Sequence, residues 1–114
     1  MSHNSFSYNK RRPLDTHSPR VQELSKHYNI SAKVIAYIRA AFKDGYTKNS
    51  LIEHIQVENK RREQAIEQHK LDMNIEKEQR DNLIKYTTFN IHFREGVIEV
   101  LNRLPEIQLN DILH

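Results

Sequence analysis

Apolar positions in this chain recur mostly three or four apart, and a few stop signals divide them into successive helices. Ser18-Pro19 starts the first. Ser caps, and Pro fits a first turn where its missing N–H would be unpaired anyway. Within 21–38, Leu24, Tyr28, Ile30, Ile35 and Ile38 mark the apolar side of two helices hinged at Asn29-Ile30-Ser31. Asn29 falls where the chain must turn with positive φ, and Ser31 caps the second helix. That helix runs through Ala40-Ala41-Phe42 to about Lys43, where Asp44-Gly45 ends it. Thr47 caps a third helix, with Leu51, Ile52 and Ile55 as its apolar stripe.

No Gly or Pro interrupts residues 50–85, and 58–67 is almost wholly charged or amide, so a long exposed helix is the simplest account of 58–85, with the pattern leaving open whether residues 56–85 run as one straight helix or fold back. Heptad positions 55, 59, 62, 66, 69, 73, 76, 80 and 83 read Ile, Asn, Arg, Ile, His, Met, Glu, Arg and Leu. That is a poor seam for joining two chains. Leu71, Met73 and Ile75 alternate with Asp72 and Asn74, but the Gln, Glu and Lys around them favour helix. Residues 86–93 change character: Phe89, Ile91 and Phe93 alternate with Asn90 and His92, which predicts a half-buried strand. Val97, Ile98, Val100, Leu101 and Leu104 then predict a helix over 95–104, stopped by Pro105, and 107–113 predicts a last short helix.

Composition narrows this picture. Of 114 residues 37% are apolar and 29% charged, so one domain with a thin core is expected, and oligomerisation would remedy the thinness. Mean hydropathy of −0.82 fits elongated, solvated helices. The absence of cysteine excludes disulfides and thiolate metal sites. No apolar run is long enough to span a bilayer and the N-terminus lacks a signal-peptide core, so a soluble, cytoplasmic protein is expected. Charge is lopsided: twelve Lys/Arg against five Asp/Glu in residues 1–62 give +7, and six against ten in 63–114 give −4. A basic first half is what a polyanion-binding head would show. Residues 1–17 lack periodicity and contain Lys10-Arg11-Arg12, and they are expected to form a disordered basic arm.

The residues Leu24, Ser25, Tyr28, Asn29, Ile30, Ser31, Ile35 and Ile38 together resemble a helix-turn-helix DNA-binding unit over residues 20–39. Ser25 and Asn29 stand where Ala and Gly are commonest in that superfamily. The resemblance implies that the second helix enters the major groove. Ser31, Ala32, Lys33, Ala36 and Tyr37 would then occupy its exposed start, with Lys33 reaching guanine acceptors or a phosphate. Arg39, Lys43, Arg20 and Lys26 would hold the DNA backbone. Residues 35–55 also resemble the part of MerR-type regulators that precedes a long dimerisation helix, without the winged segment. FNIHF followed by REGVIEVLNRL and LNDIL resembles a ribbon-helix-helix unit in outline, although residues 86–114 are near neutral to acidic and Pro105 sits in the turn.

The expected fold class is therefore mainly α: a helix-turn-helix-like head over 18–57, a long charged helix over 58–85, and a strand-helix segment over 86–114 for dimerisation or core closure. No catalytic constellation, cofactor motif or metal site is evident. The seven histidines show no i,i+4 pair, and the two glycines form no phosphate loop. The function expected is binding of double-stranded DNA as a homodimer, in a transcriptional regulator or a phage or plasmid accessory factor. The alternative is a non-enzymatic helical adaptor or inhibitor whose protein partner docks on the long helix or on Phe89, Ile91 and Phe93.

Overall fold

The computed structural model describes residues 14–114. Five helices follow in order: α1 (Pro19–Tyr28), α2 (Ala32–Lys43), α3 (Lys48–Leu71), α4 (Lys77–Arg103) and α5 (Glu106–Leu113). The mainly α expectation holds. α3 and α4 form a long antiparallel hairpin, and α2 packs against α1, α4 and α5. The molecule is elongated, 49 × 29 × 27 Å, because the hairpin runs on past the short helices at one end.

Local chemistry sets the boundaries. Ser18 Oγ accepts from Val21 N, and Pro19 opens α1. Asn29 is left-handed (φ 54°, ψ 48°), and Ile30 N–H donates to Ser25 O at 3.1 Å, which closes α1. Ser25 Oγ also donates to Ile30 O at 2.6 Å, so the small residue staples the turn as well as clearing space. α2 ends similarly at Gly45 (φ 104°), where Tyr46 N–H reaches Ala41 O and Gly45 N–H reaches Phe42 O. Thr47 and Ser50 cap α3 reciprocally.

The core lies in the head. Val34, Ile35, Ala36, Tyr37, Ile38 and Ala41 of α2 are buried among Val21 and Leu24 of α1, Leu51 and Ile55 of α3, Val97, Val100 and Leu101 of α4, and Leu109 and Ile112 of α5. Nearly every face of α2 is covered, so it is the hub of the fold.

Three expectations are corrected. Residues 86–93 are not a strand: they lie within α4. Their period-two alternation arises because Ile91 is buried toward α3, where Asn59 Nδ2 donates to its carbonyl at 3.5 Å, while Phe89 and Phe93 belong to a different side of the same helix. Second, 58–85 is not one helix, because the chain reverses at residues 72–76. Asp72 Oδ1 accepts from Asn74 N–H at 2.9 Å, and Arg80 donates to Asp72 O at 3.0 Å, so an aspartate turn breaks the helix without Gly or Pro. The weak heptad positions Ile55, Asn59, Arg62, Ile66 and His69 form the less exposed side of α3, and α4 of the same chain is the helix they meet. Third, residues 14–17 do not belong to an arm. Leu14 packs on the core, and Gln22 donates to Thr16 O at 2.5 Å. The rest of the expected arm, with Lys10-Arg11-Arg12, lies outside the described residues.

Candidate interaction surface

The residues expected to touch DNA are not gathered on one surface. Tyr37, only 1% exposed, sits edge-on to Phe93 with ring centroids 5.5 Å apart, and Ala36 is buried beside it. Both were expected at an exposed helix start, and the correction has a simple cause. An amphipathic hinge pattern records that two helices pack, not which outer side of the second stays open. Arg39 donates to Ile112 O at 2.7 Å, and Arg20 donates to Asp111 O at 3.0 Å and Oδ1 at 2.9 Å and pairs with Glu23 at 2.6 Å. Two of the expected backbone-holding cations therefore fasten α5 to the head. Lys26 and Lys43 are exposed in the last turns of α1 and α2, and Ser31 caps α2 through Lys33 N–H at 3.2 Å, next to half-buried Ala32.

Lys33 has a different setting. Its Nζ lies 4.6 Å from the Phe93 ring centroid and 5.1 Å from that of Phe89, so the cation rests on two aromatic faces of α4. This contact marks where α2 begins and its cover of α4 stops. Along α4 the residues Glu78, Asn82, Tyr86, Phe89, Phe93, Val97, Val100 and Leu104 follow at steps of three or four and share one side of the helix. The second half of that row is core: Val97, Val100 and Leu104 are buried and Phe93 is half-buried. Its first half is open, with Tyr86 70% and Phe89 60% exposed. Leu83 flanks these rings, and Leu71 and Met73 are exposed at the hairpin turn. The sequence signal for this face was the row continuing upstream from Val97. It was hidden by the strand-like pattern, and of the three residues expected to bind a partner, Ile91 is buried.

A concavity of about 660 Å³ lies between the first turn of α1 and the C-terminal half of α2, lined by Val21, Ala40 and Phe42 together with Arg39 and Lys43. On α5, the Asp111 carboxyl is held below the ordinary carboxylate range by the Tyr28 hydroxyl, 2.5 Å away, and then by Arg20. Burial pushes the His54 imidazole down, beside the Tyr46 ring at 5.2 Å. Among the described residues no group of three or more His, Asp or Glu is placed to hold a metal ion. No helix among them is long and apolar enough to cross a membrane. No family model, curated protein or solved structure matches the chain.

Proposed function

We propose that this protein is a non-enzymatic helical module that works by holding a protein partner on the open half of the α4 row. The observation that carries this reading is the discontinuity at Lys33: one helical row is core below it and exposed aromatic surface above it. Contiguous exposed apolar patches mark interaction sites, and aromatic side chains are enriched in the centres of interfaces. A photo-crosslinking residue at Tyr86, in the full chain in its native cells, is expected to give discrete protein adducts. The same residue at exposed Glu53 on α3 is expected to give none. Equal labelling from both positions would sink the reading.

Double-stranded DNA is the second reading, favoured by the +7 balance of residues 1–62. With α2 enclosed, contact would run through exposed cations such as Lys26, Lys43, Lys60 and Arg61 lying along phosphates, and a role as a regulator or accessory factor would follow from that. A mobility shift with random duplex at low and moderate salt separates the two. Retardation that weakens with salt and with Lys60→Ala/Arg61→Ala favours DNA, and its absence at low salt removes it.

A further inference from the structure

We infer that the partner on the open α4 face presents an acidic segment, with carboxylates seated at Lys33 and Lys85 and an apolar side chain on Tyr86 and Phe89. The inference rests on the partner-binding reading of that face and names the chemistry of what it holds.

Charge along the face is unequal from end to end. Lys33, at the second position of α2, holds its Nζ 4.6 Å from the Phe93 centroid and 5.1 Å from that of Phe89. Lys85 is exposed, one turn before Phe89 and one turn after Asn82, so helical spacing places it on the same side of α4. A third cation, the Arg94 guanidinium, lies 6.0 Å from the Phe93 centroid. Neither Lys33 nor Lys85 has an ion pair among the described residues. The acids nearby are engaged or distant. Asp81, a turn before Lys85, pairs with Lys77 at 3.0 Å, and Glu95 pairs with His92 at 3.2 Å. Glu78, the acid on the row itself, stands two turns from Lys85, about 10 Å further along the axis. The backbone adds to the same end: α2 starts there with no acid in its first turn, so the positive end of its dipole reinforces the lysines. A cation at that position works against the dipole, and Lys33 rests on two rings instead. Positive charge is thus concentrated beside the open aromatic surface.

Size and charge together choose the class of occupant. Tyr86 and Phe89, 70% and 60% exposed, together offer roughly 200–300 Å², well under the ~800 Å² each partner gives to a standard interface. The surface is one helix wide and suits a short segment, for which charge complementarity supplies specificity. A nucleic-acid strand carries a phosphate at every nucleotide and needs cations along its whole path. Along this row it would run from Lys85 onto Glu78, beside Asp81. A polypeptide can carry its carboxylates at one end and become neutral or basic where it passes Glu78.

The photo-crosslinking residue at Tyr86, in the full chain in its native cells, tests this by where it attaches; capture of a protein is not in itself support. Attachment sites mapped by mass spectrometry are expected in segments of net negative charge. In a Lys33→Glu/Lys85→Glu background adduct yield should fall roughly tenfold, because both contacts turn from attraction to repulsion. In a Lys33→Arg/Lys85→Arg background it should hold. Lys85 is exposed and Lys33→Glu favours the α2 dipole, so helical circular dichroism of the reversed variant should match wild type. Lys85→Glu alone, which leaves α2 untouched, should lower the yield roughly threefold and serves if the double variant loses its fold. Yield unchanged by charge reversal, attachment to neutral or basic segments, adducts between two copies of this chain, or adducts removed by nuclease would each overturn the inference. Adducts with another protein that ignore these charges would overturn the acidic segment and leave the partner-binding face standing. No adducts from Tyr86 would remove both.

Discussion

At the scale of single residues, backbone requirements and burial separate positions that look alike in the sequence. Asn29 and Gly45 are both turn residues, and both adopt positive φ where a helix must end. Gly96 looks similar but lies inside α4, and a Cβ built there meets nothing within 4 Å. Its lack of side chain serves no contact, so Gly96→Ala should stabilise the protein by about 0.5–1 kcal/mol. A higher urea midpoint at unchanged slope checks this, and a lower one would mean that the glycine relieves a contact the packing does not show. The turn residues Ser18, Asn29, Ser31, Gly45 and Thr47 were all legible in the sequence, because each acts on its own backbone neighbours. Tyr37 and Ala36 were not, because their burial depends on α4 and α5, far along the chain.

Among the elements, α5 is the smallest and the most dependent on specific polar contacts. Leu109 and Ile112 are buried on the head, while Arg20, Tyr28 and Arg39 hold Asp111 and the Ile112 carbonyl. Since the Asp111 carboxyl is depressed, first by Tyr28 and then by Arg20, its contribution is present above its unfolded pKa and is lost as pH falls through the folded value. Acid should therefore loosen α5. Asp111→Asn should be less stable than wild type near neutral pH, and the gap should shrink toward zero as pH drops below the ordinary carboxylate range. Urea midpoints across a pH series measure it; a gap that stays constant would mean that ionisation of Asp111 does not hold the helix. Element existence was well marked in the sequence except in two places. The 72–76 reversal used an Asp/Asn turn in place of Gly or Pro, and the strand-like 86–93 stretch was overridden because its alternate residues serve two sides of one helix.

The whole molecule divides into a packed head and a projecting hairpin. Residues with 0% exposure, such as Ile35, Ile38, Leu51, Val97 and Leu101, all lie in the head, whereas residues around the hairpin turn are exposed or half-exposed. Opening free energy follows local burial. Amide hydrogen exchange should therefore be slowest in α2 and in α4 from Val97 onward, and fastest around 72–80. Uniform protection along α4 at low concentration would contradict the division. His54, whose imidazole is pushed down by burial at the head end of α3, adds to the acid sensitivity of the same region, because the unfolded chain takes up its proton first as pH falls.

The sequence by itself determined where the first three helices start and where the first two stop, that the fold is mainly α, and that its first half is basic. These properties follow from caps, turn residues and counts, all local along the chain. Tertiary structure alone decided that α2 is enclosed, that Arg20 and Arg39 face inward to α5, that the weak seam of α3 is satisfied within the chain, and that Tyr86 and Phe89 stay open. Each depends on which surfaces meet across long separations, and helical periodicity specifies an apolar side without naming what covers it.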